Sequence, residues 1–488
     1  MKKVLVVIYI ILILILLKSI IHSGYNYRFD NDELYHLQKV YLLSNGFKPY
    51  SQFYTVYAPF LHLLLVPIFK ISGFDLKTIY YAKIVMIILY LLRVGLMTIF
   101  TKSIFGNKAT LLFLPLMLFE PFSLLTSVQV RPENFALLIL IITYLLAIHA
   151  LKKESFWRIF SVGLFTGLAL ISSIKLMPSI LIIALGLPVY FLYSKKKRWA
   201  FVFVDGFIMT FLLLFFYLFT NGNLIPGFQQ LFLDPWLLNS TISTSTPLNY
   251  FYIFESSLLY GQLGKPITWI FAMILPVLAF AGSYRMLVAG LNNGSDRLKR
   301  IFYIGLPLIF YTTWISMLFI NSVWLQYYLP LTWMYCLFNA YLITDIWTNH
   351  RLPLAFRKIF VLGTIIFLLG VYITTFKGNY LRAEGSSTPE LITASSLWNT
   401  TPNNRPTFAN LLFRRPAYPI IYGGTLSPYM IQRFGPIYKS LEKNHLTIIY
   451  ADDNFINQLD MASQIYIREN YKPDVLNPII RRKITTSN

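Results

Sequence analysis

The chain has 488 residues, 56% of them hydrophobic and only 13% charged, with a formal net charge of +22. A soluble chain carries about 25% charge, so a soluble globular protein is excluded and a polytopic membrane protein is implied. The basic residues fall in short loops between apolar runs, which excludes nucleic acid as the partner. The single cysteine, Cys336, lies in an apolar run and allows no disulfide framework.

Lys2 and Lys3 precede the first apolar run, Val4 to Leu17, and no small-x-small cleavage site follows. This reads as an uncleaved first membrane helix with a cytoplasmic N-terminus. An outer segment over residues 22–77 comes next, with a turn signal at Asn45-Gly46. Within it, Leu61–Ile71 is apolar but short and is interrupted by His62 and Pro67.

Counting basic loops decides whether that run spans. If it does not, spans at about 4–17, 78–100, 109–119, 134–150, 159–174, 178–193, 201–220, 266–288, 301–320, 326–346 and 360–376 put every basic loop on the cytoplasmic side. If it does, the whole assignment inverts. The expectation is therefore eleven transmembrane helices, with juxtamembrane helices in the first outer loop. Lys83 and Arg93, inside the second span, are expected to snorkel to its ends. Residues 1–376 form the membrane domain. From about Lys377, Gly, Ser, Pro and Asn punctuate the chain and charge rises, which marks residues 377–488 as a small extracytoplasmic α/β domain. Its β-like runs are 418–422 and 446–450, and a helix is expected over 455–471.

Four stretches can carry chemistry, all on the expected outer face. The first is Asp30-Asn31-Asp32-Glu33-Leu34-Tyr35-His36. Asp32 and His36 stand four apart and share a helix face. A carboxylate placed here can take a proton from an attacking hydroxyl; equally, Asp30 suits a helix cap and Asp32 and Glu33 the first turn. The second is Val130-Arg131-Pro132-Glu133-Asn134. Arg131 can bind a phosphate through its planar fork, while Pro132 and Glu133 also suit a plain helix start. The third is Lys175, in a very short connection where a lone cation suits a lipid phosphate or simply snorkels. The fourth is Trp324-Leu325-Gln326-Tyr327-Tyr328-Leu329-Pro330, where Gln326 can bond a substrate and the aromatic residues also fit an interfacial belt. His36 and His62 can bind metal with Asp32 or Glu33, or can simply pack. No phosphate-binding glycine loop occurs, which argues against a nucleotide-sugar donor bound in the cytoplasm.

In their order these stretches resemble the GT-C glycosyltransferase superfamily, in particular the relatives of protein O-mannosyltransferases and of the aminoarabinose transferase acting on lipid A. The matching residues are Asp32-Glu33 after the first helix and Tyr57-Ala58-Pro59-Phe60-Leu61-His62-Leu63. Arg131-Pro132-Glu133 at the fourth helix, Gly167-Leu168-Ala169 with Lys175, and Tyr327-Tyr328-Leu329-Pro330 continue the series. Trp398-Asn399-Thr400-Thr401-Pro402 opens the outer domain. The resemblance implies an inverting transfer, outside the cytoplasm, of a sugar from a polyprenyl-phosphate carrier to a glycan, lipid or protein acceptor. It implies Asp32 as base, with Glu33 and Glu133 orienting the acceptor or a divalent cation. Lys175 and Arg131 would hold the donor phosphate, and His36, Tyr57, Gln326, Tyr327 and Tyr328 would contact substrate. No cofactor is certain, and a divalent cation stays open. The alternative is a transporter or flippase of lipid-linked glycans, which would place polar residues and broken helices at mid-membrane.

Overall fold

A computed structural model describes residues 2–26, 31–75, 77–120, 126–241, 265–292, 296–320, 325–364, 366–367, 370, 406–408, 413–418, 431, 434–457, 459–475 and 478–484. The chain groups into two compact units. One comprises residues 1–28, 83–217 and 242–385; the other comprises 29–82, 218–241 and 386–488.

Helices lie at the expected spans wherever these fall in the described residues. They are α1 (Lys2–Asn26), α4 (Thr78–Phe119), α5 (Pro132–Lys152), α6 (Phe156–Ser172), α7 (Met177–Tyr193), α8 (Lys197–Thr220), α11 (Lys265–Asn292), α12 (Arg297–Met317) and α13 (Leu329–Thr348). The expected spans 78–100 and 109–119 are the two arms of α4, which breaks at Gly106 with φ +81°. That left-handed conformation costs a side chain but not glycine. Among the described residues, six helices are long and apolar enough to cross a membrane. The others expected to span fall short for visible reasons. α6 is apolar but has 17 residues. α12 opens on Arg297, Lys299 and Arg300, and α13 carries Thr332, Asn339, Thr344 and Asp345. The last expected span, 360–376, lies mostly outside the described residues.

In the first unit α13 is the hub. It is buried along nearly its whole length and packs on α11, which also packs on α12. Trp333 sits at its centre against Phe100 of α4 and Tyr144 of α5, at ring separations of 6.3 and 5.6 Å. α6 and α8 meet backbone to backbone. A Cβ on Gly163 would stand 2.0 Å from the Phe203 carbonyl oxygen, and one on Gly206 would stand 2.1 Å from that of Phe160. Thr210 adds a hydrogen bond across the pair, to the Leu164 carbonyl at 2.8 Å. Small residues at a crossing let membrane helices approach this closely. Lys83 and Arg93 do not snorkel: each is 1% exposed.

The second unit holds α2 (Asn31–Ser44) packed on α3 (Phe60–Ser72). At 1.5 Å per residue, the 13 residues of α3 reach about 20 Å, short of the roughly 30 Å hydrocarbon core. The run 61–71 is therefore a short helix, as the sequence implied. Asn45-Gly46 makes the expected turn, with Gly46 at φ +78°. The loop before α3 is held by side-chain amides from beyond α8. Asn223 donates to the Pro49 carbonyl at 2.8 Å. Gln230 accepts from the Thr55 amide at 2.9 Å and donates to the Tyr50 carbonyl at 2.7 Å. Gln230 lies in a π-helical turn between α9 (Leu224–Phe228) and α10 (Asp234–Thr241).

The C-terminal part of this unit is α/β. Strands β1 (Ile448–Tyr450), β2 (Tyr471–Pro473) and β3 (Ile480–Lys483) form an antiparallel sheet in the order β1-β3-β2. The expected run 446–450 contains β1, while 419–422 lies outside the described residues. The helix expected over 455–471 is instead α15 (Asp453–Ile456) and α16 (Met461–Asn470), each capped by an aspartate, Asp452 and Asp460. With α14 (Ile437–Lys443) they enclose a core of Ile437, Leu441, Ile449, Ile456, Ile467 and Tyr471, which Tyr54 from the loop before α3 joins.

Candidate functional site

The residues singled out in the sequence fall into two clusters, one in each unit. In the second unit they line up along α2. Asp32 and Glu33 occupy its first turn, where the helix dipole favours anions. Glu33 is fully buried, but Asp32 keeps part of its surface open. One turn on, Tyr35 and His36 follow, and a further turn brings Lys39. His36 Nδ1 and His62 Nε2 of α3 share a hydrogen bond of 3.1 Å. The Tyr57 ring meets His36 edge-on at 5.0 Å. Lys39 is fully buried, with its Nζ 3.5 Å from the centre of the Tyr35 ring and 5.1 Å from that of Tyr57. A desolvated ammonium over aromatic faces is a favourable cation–π arrangement.

The electrostatics follow from this packing. Burial, and then the Lys39 charge, hold the His62 imidazole well below its ordinary pKa, so it is neutral. Burial, and then the charges of Tyr57 and Asp32, push the Tyr35 phenol up, so Tyr35 acts as a neutral donor and reaches the Tyr54 carbonyl at 3.4 Å. On the opposite side of α2, the Gln38 side chain clamps the segment 413–414. It accepts from the Phe413 amide at 2.6 Å and donates to the Arg414 carbonyl. Phe413, at φ +58°, packs its ring on Tyr41 and Phe69. Burial lowers the pKa of Arg414 beside it.

In the first unit the cluster surrounds the start of α5. Arg131 precedes the helix in an extended conformation and Pro132 opens it, as the sequence implied. Glu133 is 2% exposed and forms an ion pair with Lys175, which sits in a single 3-10 turn (Ile174–Leu176) between α6 and α7. The Lys175 ammonium also lies 4.5 Å from the Tyr327 ring centre. Arg131 acts on Glu133 electrostatically, and its Nε donates to Gln129 at 2.6 Å. Tyr328 is buried beside Trp314. The side chain of Gln326 lies outside the described residues. Glu133, Lys175, Arg131 and Tyr327 thus form one group, and Asp32, Glu33, His36 and Tyr57 another.

Three participants were missed in the sequence. Lys39 and Gln38 sit among polar neighbours on α2 and give no signal. Arg93 does give one, being a charge within an apolar run. Its Nη1 donates to Asn134 at 3.1 Å, and Asn134 in turn donates to the Thr126 and Gln129 carbonyls at 2.7 and 2.8 Å. Among the described residues, no three His, Cys, Asp or Glu side chains converge as a metal ion requires. One ring nitrogen of each histidine is taken up by the His36–His62 contact.

By sequence the chain matches no protein-family model and no curated protein. By fold it is similar to ArnT from Cupriavidus metallidurans bound to undecaprenyl phosphate, at 12% identity and TM-score 0.61, over 100% of this chain and 99% of that one. It is also similar to the oligosaccharyltransferase of Archaeoglobus fulgidus in its apo form, at 11% identity and TM-score 0.56, over 99% of this chain and 74% of that one. The archaeal oligosaccharyltransferase AglB from Archaeoglobus fulgidus, in complex with an inhibitory peptide and a dolichol-phosphate, gives 11% identity and TM-score 0.54 over 98% of this chain and 74% of that one. The chain therefore shares the fold of these solved structures.

Proposed function

We propose that the protein is a multi-pass membrane glycosyltransferase that moves a sugar from a polyprenyl-phosphate carrier to an acceptor hydroxyl. The observation that carries this reading is the partial exposure of Asp32 at the start of α2, in a chain with this fold. In the step we envisage, the acceptor oxygen bonds to the anomeric carbon while the bond from that carbon to the phosphate oxygen breaks. Asp32 takes the hydroxyl proton, and the prenyl phosphate leaves with the electron pair. Displacement from the opposite face inverts the anomeric centre. Cations stabilise the charge gathering on the leaving phosphate, the role we assign to Lys175 and Arg131. Glu33 and Glu133 then position these groups and the acceptor. His36, Tyr57, Gln326, Tyr327 and Tyr328 contact the sugar or acceptor. The N-terminus is cytoplasmic, and residues 377–488 form the extracytoplasmic domain.

Purified protein incubated with a radiolabelled undecaprenyl-phospho-sugar and a candidate acceptor tests the reading. Label should pass to the acceptor, and free undecaprenyl phosphate should accumulate. Movement of intact donor across a liposome bilayer without its consumption would refute transfer and favour a flippase. Reporter fusions at each terminus check the orientation.

A further inference from the structure

Arg93 lies in the first arm of α4, within an apolar run, and is 1% exposed. A guanidinium carries five N–H donors. Nη1 is used by Asn134, and the guanidinium carbon lies 5.2 Å from the centre of the Tyr90 ring. Nε and Nη2 have no hydrogen-bond partner. Glu133, the carboxylate at the start of α5, is paired with Lys175. A buried charge is retained only when it is neutralised and hydrogen-bonded, so two idle donors on a buried cation mark the place of an anion that the described residues do not supply.

The position suits one ligand. Asn134 is the third residue of α5, and the Tyr90 hydroxyl donates to the Met117 carbonyl near the end of α4 at 2.9 Å. Through Asn134, which also bonds the Thr126 and Gln129 carbonyls, Arg93 is tied to the described residues that lead into Arg131 and Glu133. Of the three cations around this helix start, Lys175 is neutralised by Glu133 and Arg131 has its Nε on Gln129. Arg93 alone presents two adjacent unused donors, the fork geometry that matches a phosphate. We propose that Arg93 binds the phosphate of the prenyl carrier. This assignment rests on the glycosyl-transfer reading above and shifts donor recognition from the ion-paired Lys175 to a residue inside α4.

The test is thermal unfolding of the full-length protein, in detergent free of phospholipid, titrated with undecaprenyl phosphate. Undecaprenyl phosphate should raise the unfolding midpoint saturably. Undecaprenol and phosphatidylglycerol at the same mole fraction should not. In Arg93→Gln the concentration for half-maximal shift should rise about tenfold or more, because a charge-assisted two-donor contact is lost. Arg93→Lys keeps the buried charge but not the fork and should rise about threefold. Equal stabilisation by undecaprenol or by phosphatidylglycerol would overturn the assignment, as would an unchanged titration in Arg93→Gln. If Arg93→Gln does not fold, Arg93→Lys and the undecaprenol comparison decide. A wild-type protein that no prenyl phosphate stabilises would sink the transfer reading as well, whereas a wild-type shift that both variants reproduce sinks this inference alone.

Discussion

The two clusters begin with the same device and use it differently. Each places a carboxylate in the first turn of a helix, Asp32 and Glu33 on α2 and Glu133 on α5. Glu133 is buried and locked onto Lys175, whereas Asp32 keeps an open surface beside a Glu33 that has none. An ion-paired, desolvated carboxylate is suited to holding geometry, and an accessible one to exchanging a proton. Sequence position alone cannot separate these roles, because both satisfy the same dipole and spacing rules.

Substitutions at the two carboxylates sharpen the contrast most. Asp32→Asn should lower turnover about a hundred- to ten-thousand-fold, the usual worth of a positioned base, with the unfolding midpoint unchanged; label transfer and thermal unfolding read the two quantities. Near-normal turnover would remove Asp32 from the role of base. Lys175→Met should cost about 3–5 kcal/mol of stability, because it strands the Glu133 charge in a buried site. The double variant Lys175→Met, Glu133→Gln should recover most of that loss, and a double-mutant cycle by denaturation measures the coupling. Additive effects would show that the pair is not coupled.

Smaller effects belong to the α2 cluster. Gln38→Leu removes both bonds to the segment 413–414 and should cost about 1–3 kcal/mol. It should also speed hydrogen exchange at the Phe413 amide. The smallest effect is pH-dependent. His62 is neutral when folded because its pKa is lowered, so the unfolded chain binds a proton that the folded chain refuses. The stabilisation is complete above the unfolded pKa near 6.5. It falls by up to about 1.4 kcal/mol per pH unit as the pH drops below that value. His62→Gln should flatten the acid side of the stability profile. Among the described residues no histidine belongs to the Glu133–Lys175 group, so Glu133→Gln should leave the slope between about pH 5 and 6.5 unchanged and alter it only in the carboxylate range below, where the lowered pKa of Glu133 itself contributes.

The contrast also marks what the sequence could tell. Helix positions, the short helix at 61–71 and the Arg131-Pro132-Glu133 helix start were legible, since each depends on local pattern or on charge in neighbouring loops. The His36–His62 bond was not, because helical spacing says which residues share a face of α2 but not that α3 packs there. Arg93 and Lys83 read as snorkelling because the sequence gives no sign of which helices surround them. Strand β3 was hidden by its own Arg481, Arg482 and Lys483. Arg481 nonetheless buries its side chain, bonding the Ala451 carbonyl at 2.9 Å and Asp453 at 2.7 Å.

The Gly163–Gly206 contact bears on how the protein is made. α6 and α8 are separated in the chain by α7, so their backbones can close only after three consecutive helices have entered the bilayer. Until then two glycine faces stay exposed to lipid and to quality-control proteases. A valine at either position would therefore show itself as poor yield and rapid turnover in the cell, before any activity could be assayed.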